Sequence, residues 1–186
     1  RLIDNEIKNA KAGIDAWIRM KINHITDEDV VERLYDAAAA GVKIDIVLRG
    51  NCSLMPSNVD NMHVVGIIDR YLEHSRILIF ANGGTPRYYM GSADWMPRNL
   101  EKRVEIVFPV EDEQIKKEVM HILDIQMKDN VKASILQADG TYTKPDKRGK
   151  TLVNSQEYFC REATERAEKP KEQENSRVFV PAEPVE

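Results

Sequence analysis

The sequence has little with which to do thiol, metal or membrane chemistry. Its two cysteines, Cys52 and Cys160, lie far apart and form no C-x-x-C or Cys/His spacing, so no zinc site or disulfide framework is written into it. They read as reduced thiols of a cytoplasmic protein. No apolar run approaches the roughly 18 residues that a membrane span needs, and the first residues do not have the pattern of a signal peptide. An excess of positive charge is also missing. The net charge is −4; the seven acids and four bases from Glu162 onward contribute −3 of it, which leaves the remainder at −1. A nucleic-acid surface draws its affinity from many Lys and Arg side chains that neutralise phosphates, so a near-neutral body predicts no nucleic-acid partner. Any polyanion has to meet a local basic site. A chain of 186 residues suits one domain with an ample core. That domain is expected over residues 1–168, followed by a polar, proline-bearing tail without fixed structure over 169–186.

What is present is organised around Asp69-Arg70-Tyr71-Leu72-Glu73-His74-Ser75-Arg76 and the apolar run Ile77-Leu78-Ile79-Phe80. Residues two apart on an extended chain project to the same side, so His74 and Arg76 are expected side by side. An imidazole can attack phosphorus or pass a proton, and a guanidinium clamps phosphate oxygens. Strands are expected at 14–21, 42–48, 63–68, 76–82, 87–92, 103–108 and 131–136. Helices are expected up to Gly13, from a Thr26 cap to Gly41, over Glu111 to Lys128, and from Asn154 to about Ala167. The strand, helix and strand from 14 to 48 make a parallel crossover unit, while the later strands follow one another as hairpins. The fold class is therefore α/β with a mixed sheet flanked by helices. Arg49 falls at the carboxyl end of a strand, where α/β ligand sites gather.

The stretch from Arg70 to Arg103 resembles the C-terminal part of the long-chain polyphosphate kinases. The likeness is carried by Arg70 to Arg76, Asn82-Gly83-Gly84, Ser92-Ala93-Asp94-Trp95-Met96 and Arg98-Asn99, and extends more loosely from Leu2 to Ala163. These kinases end in two phospholipase-D-like domains, and this chain looks like the second. It is thus expected to be a single phospholipase-D-like catalytic domain from a longer polypeptide, in keeping with a chain that begins at Arg1. His-x-Arg followed by Gly91-Ser92-Ala93-Asp94 resembles a degenerate phospholipase-D signature. Arg76 stands where that signature has lysine, and Ala81 where it has aspartate.

The resemblance implies an ATP:polyphosphate phosphotransferase that works reversibly, with ATP/ADP and inorganic polyphosphate as substrates. It implies that the covalent phosphohistidine and the Mg2+ ligands belong to the preceding domain, with no metal held here. His74 would then be a second active-site histidine, and Arg49 and Arg103 would hold nucleotide phosphates. Arg76, Ser92 and Asp94 are read as supporting residues, Arg76 pairing with Glu73, Asp94 or Glu105. Arg98, Asn99 and the basic loop 144–150 are left without a role. His24, His63 and His121 are read as ordinary structural histidines, and Asn23 and His24 as turn residues. The implied partners are the neighbouring domains and, for the full-length protein, further copies of itself. The expected location is cytoplasmic, with membrane association of the full-length enzyme left open. Two rival readings stand beside this one: a homodimeric phospholipase-D-like phosphodiesterase or nuclease, and a non-catalytic module that binds polyphosphate or assembles with another domain.

Overall fold

Alternation of apolar and polar residues builds one eight-stranded mixed sheet, seen in a computed structural model that describes residues 1–56 and 61–168. The tail expected over 169–186 lies outside the described residues. In chain order the strands are β1 (Trp17–Lys21), β2 (Lys43–Leu48), β3 (Met62–Gly66), β4 (Ile77–Phe80), β5 (Arg87–Gly91), β6 (Val107–Val110), β7 (Ser134–Leu136) and β8 (Tyr142–Thr143). The helices are α1 (Leu2–Lys11), α2 (Glu28–Ala39), α3 (Glu113–Met127) and α4 (Ser155–Glu168). The sheet runs β6-β5-β4-β1-β2-β3-β7-β8. Only β1–β2 and β2–β3 are parallel, and every other pair is antiparallel. The expected α/β class and mixed sheet are both found.

Each face of the sheet buries its own apolar set. On one side Ile18, Met20, Ile44, Ile46 and Leu48 pack with Val31, Leu34, Ala37 and Ala38 of α2. On the other, Val47, Val65, Ile77 and Ile79 pack with Val119 and Leu123 of α3. Each fully buried Ile or Leu contributes about 1.5–3 kcal/mol. Trp17, Arg19 and Lys21 share a face by the two-residue period, and two of the three are cationic. Arg19 meets Asp124 of α3 at 2.8 Å and Asp45 of β2 at 3.4 Å.

Several boundaries differ from the sequence expectation, each for a local reason. The cap of α2 is Asp27, whose Oδ1 accepts from the Val30 N–H at 3.1 Å. Thr26 is committed elsewhere, its N–H donating to the Trp95 carbonyl at 2.8 Å. Asp112 caps α3, accepting from Gln114 and Ile115, so it stands before the first turn and not within it. The first strand begins at Trp17 instead of residue 14. The strand expected at 103–108 begins at Val107: after a turn of π-helix over Arg98–Lys102, residues 103–106 stay irregular, and the Ile106 N–H donates to Ser92 Oγ. The strand expected at 131–136 begins at Ser134 because the amides of Val131, Lys132 and Ala133 all donate to Asp129 Oδ1. The short β8 was not anticipated at all. The Gly-Gly turn is as expected: Gly83 and Gly84 have φ of 63° and 95°, values that side chains with a Cβ resist.

Asp129 is buried and also accepts, at Oδ2, from the backbone N–H and the hydroxyl of Ser155, both at 2.8 Å. One carboxylate thus ties the start of β7 to the first residue of α4. Asp129→Ala should unseat both and cost about 3 kcal/mol, since bonds to a buried charged acceptor are among the strongest. Urea denaturation of the two proteins measures this; a loss under 1 kcal/mol would show the junction to be held by other contacts.

Candidate functional site

Strand register gathers the chain's polar loops at one end of the sheet. Lys21 at the end of β1 lies opposite Val47 near the end of β2 and Ile77 at the start of β4. Ile77 in turn faces Met90, and Gly91 faces Val107. The carboxyl ends of β1, β2, β3 and β5 and the starts of β4 and β6 therefore converge there. Four loop segments meet as a result: residues 22–27, 49–54, 67–76 and 92–106. Ile25 forms bridges to both Cys52 and Trp95, and the Trp95 N–H donates to the His24 carbonyl at 3.1 Å.

Asp94 is the centre of the arrangement. It is buried, and it accepts from Arg76 Nε at 3.2 Å on Oδ1, from Arg76 Nη2 at 3.0 Å on Oδ2, and from the Asn23 N–H at 3.0 Å. Of the three partners open to Arg76 in the sequence, this is the one it takes. The fork geometry matches guanidinium to carboxylate. Burial acts to raise the Asp94 pKa, but the hydrogen bonds from Arg76 and Asn23, with the charges of Arg76 and His24, outweigh it and hold the carboxyl below its usual range.

Arg76 also donates through Nη1 to the His74 carbonyl at 2.9 Å and lies 3.0 Å from His74 Nδ1. The stretch from Asp69 to Arg76 is a loop, not part of a strand, yet the two side chains meet as expected. The same Nη1 lies 3.4 Å from Nε2, so the guanidinium sits against the imidazole near both ring nitrogens. The His74 side chain is otherwise exposed, open on its solvent side to an anion.

Arg49 follows β2 directly. Its Nε donates to Asn23 Oδ1 at 3.1 Å, and the same oxygen accepts from Lys21 Nζ at 3.1 Å. Two cationic donors on one oxygen fix the orientation of the Asn23 amide. Lys21 is 0% exposed and donates also to the Ser75 carbonyl at 3.3 Å. Burial pushes its pKa down to about 8; Glu73 raises it, Arg49 and Arg76 lower it, and Asp94 raises it. Beside Arg49 opens a cleft of about 510 Å3 lined in part by Lys132, Tyr142 and Lys144, with a smaller one of about 270 Å3 on the side of Arg70 to Glu73. A cavity of about 520 Å3 between Tyr88 and α3 lies at the opposite end of the sheet and contains none of these groups.

The remaining candidates stand further out. Ser92 accepts from the Ile106 N–H at 3.1 Å and donates to Glu105, which also accepts from Asn99 at 2.6 Å; Ser92 and Asn99 therefore brace the loop between β5 and β6. Arg103 is not at a strand end. It follows the π turn, is exposed, and makes itself felt only through its charge near Glu105. Arg98 is exposed as well. In the basic loop, Lys144 donates to the carbonyls of Lys132 and Ala133, and Arg148 pairs with Asp146. His24 Nδ1 accepts from the Asn51 N–H at 2.9 Å, and a Cβ at Gly50 would collide with its ring. His121 bonds Glu162 across α3 and α4 at 3.1 Å.

Lys21, Gln126 and Gln156 are not singled out by sequence reasoning, which reads Asn23 as a turn residue and Glu73 only as one possible partner of Arg76. Gln156, at the start of α4, accepts from the Tyr71 N–H at 2.7 Å and donates to the Tyr71 carbonyl and to Glu73 Oε1, while Gln126 donates to Glu73 Oε2. Two glutamines thereby hold the loop that carries His74. The one legible signal was Lys21 and Asn23, two apart among apolar neighbours at a strand end, which places both on one side of the chain.

No three His, Cys, Asp or Glu side chains among the described residues come together as a metal-binding group. Asp94 and Glu73 have their oxygens occupied by Arg76, Asn23 and the glutamines, so these residues do not fit a Mg2+ ion held by this domain alone. Asp94→Asn removes the charge that Arg76 needs and should cost about 3 kcal/mol, as breaking a buried pair does. Because the Asp94 pKa is depressed on folding, this stability is present above the ordinary carboxylate pKa of about 4. It is lost as pH falls through the lower folded value. Denaturation of both proteins at pH 7 and below pH 3 should show the difference shrinking with acid; an unchanged difference would contradict the ion-pair assignment.

Residues 1–156 match the family described as polyphosphate kinase C-terminal domain 2. Among curated relatives, the polyphosphate kinase of Vibrio cholerae is 43% identical over 159 residues, covering 84% of this chain and 23% of its own. That of Thermosynechococcus vestitus is 49% identical over 145 residues, covering 76% and 20%. This chain therefore spans about a fifth to a quarter of the length of the relatives it matches. Among solved structures, polyphosphate kinase from Porphyromonas gingivalis superimposes with a TM-score of 0.84 at 38% identity, covering 89% of this chain and 26% of that one. NucT from Helicobacter pylori matches in fold alone, with a TM-score of 0.50 and 14% identity over 68% of this chain and 89% of its own. The chain belongs to the polyphosphate kinase C-terminal domain 2 family.

Proposed function

We propose that this domain supplies one wall of an ATP:polyphosphate phosphotransferase site, in which the terminal phosphoryl group of ATP passes reversibly to inorganic polyphosphate. The observation that carries this reading is the hydrogen-bonded set joining Arg49, Arg76 and His74 at the carboxyl ends of the central strands. Phosphoryl transfer asks of a protein chiefly positioning and charge stabilisation. Arg49 and the more distant Arg103 offer guanidinium groups to nucleotide phosphates. His74 offers an exposed imidazole that passes a proton to a phosphate oxygen gaining charge as its bond breaks, or takes one in reverse. Arg76, held by Asp94, orients His74. Ser92 shapes the loop behind them.

On this reading the phosphohistidine and Mg2+ ligands lie in a neighbouring domain, and the full-length protein is a cytoplasmic homo-oligomer. A phospholipase-D-like phosphodiesterase is less well supported, because lysine and aspartate of that signature are replaced by Arg76 and Ala81.

Calorimetric titration of this chain with polyphosphate and with a non-hydrolysable ATP analogue tests the site directly. Binding that Arg49→Ala and His74→Ala weaken is expected; binding indifferent to both substitutions would overturn the assignment. The chain alone should show no sustained polyphosphate synthesis, having half a site. In the longer kinase Arg49→Ala should lower kcat/KM by about 10²- to 10³-fold, as loss of a donor to transition-state charge does, with the melting temperature little changed. Unchanged kinetics and a lowered melting temperature would make Arg49 structural.

A further inference from the structure

Lys21 is a buried cation for which the phosphate-binding reading has so far found no use. Its two hydrogen bonds run to different loops: Asn23 Oδ1, which also receives Arg49, and the Ser75 carbonyl, which sits between His74 and Arg76. Asn23 continues through its N–H to Asp94, and Asp94 continues through both oxygens to Arg76. The links close into a ring, Lys21 to Asn23 to Asp94 to Arg76 and back through Ser75. Arg49 hangs from one side of it and His74 from the other. We propose that Lys21 is a positioning residue for phosphoryl transfer, its charged ammonium fixing the Arg49 arm and the His74 arm relative to each other beneath the bound phosphates. This inference rests on the phosphotransferase reading above.

A lysine serving only the fold would be a poor choice here. It is wholly buried, and burying an ammonium costs more than its bonds to neutral oxygens return. The charges that face it are Glu73 from its own loop, Arg49 after β2, and Arg76 and Asp94. The two carboxylates do not depend on it: Glu73 is held by Gln126 and Gln156, and Asp94 by Arg76. Removing Lys21 therefore strands no carboxylate, while it frees Ser75 and leaves Asn23 with Arg49 alone. Because its pKa falls on folding from 10.5 to about 8, the charged form is penalised below about pH 8. Folding stability rises as pH climbs from there toward 10.5, while the ring loses its charge over the same range.

The experiment combines Lys21→Met and Lys21→Gln, with Arg49→Ala as reference, in the kinase carrying this domain. The wild-type rate is expected to fall with pH through about 8. Both Lys21 variants should have kcat lowered by about 10- to 100-fold at pH 7, the range seen for groups that orient a site from behind, and should lack that alkaline limb. Lys21→Met should melt no lower than wild type. An intact alkaline limb in both variants, or a melting temperature that drops in step with activity, would overturn the inference while leaving the Arg49 effect standing. A wild-type kinase without phosphotransfer would overturn the proposed function and this inference together.

Discussion

The bidentate pair of Arg76 with Asp94 is the contact on which the rest of this site depends. Neither residue could be buried alone, since an isolated charge out of water is costly. Together they satisfy each other and leave further hydrogen-bonding capacity. Asp94 spends it on the Asn23 amide, and Arg76 on His74. The pair therefore converts a loop after β5 and a loop before β4 into one rigid unit, and it attaches both to the end of β1. Preformed geometry of this kind is what a reaction dominated by charge stabilisation requires, because groups already in place need no reorganisation when charge develops.

A second layer keeps the unit in register with the core. Asp129 joins the start of β7 to α4, and the first turn of α4 presents Gln156 to Tyr71 and Glu73. Asn154 and Lys132 hold Asp69 at the other end of the same loop, at 3.0 Å and 2.9 Å. A loop with few apolar contacts would otherwise open locally. Here it is bounded by polar bonds from a helix far along the chain. The segment leading into β6 and β6 itself are open to solvent, with Val104 100% exposed and Ile106 and Phe108 also exposed.

Much of this was legible in the sequence, and the exceptions have a common cause. Periodicity located the amphipathic helices around the parallel unit, because they depend on residues three or four apart; His74 and Arg76 meet as expected, but from a loop and not from an extended strand. Arg49 was legible because a β-branched run ends just before it. The choice of Asp94 over Glu73 or Glu105 as partner for Arg76 was not, since all three are acids within reach of the same loops and only β4–β5 register decides between them. Asp27 displaced Thr26 as a cap through a contact with Trp95, some seventy positions away in the chain. Lys21, Gln126 and Gln156 were passed over for the opposite reason to His74: a lone lysine on a strand and glutamines on helices are ordinary surface residues until the fold buries them. Long-range burial of polar groups is the part of a site that local pattern does not encode.

The central claim is that the arginine clamp exists before phosphate arrives. Arginine side-chain NMR of the free chain tests it most directly, through the Nε–H resonances of Arg49 and Arg76 assigned by substitution. Two resolved signals protected from solvent exchange, each perturbed by added polyphosphate, are predicted from their bonds to Asn23 and Asp94. Signals that exchange as freely as those of exposed arginines in the absence of phosphate would contradict a preformed clamp.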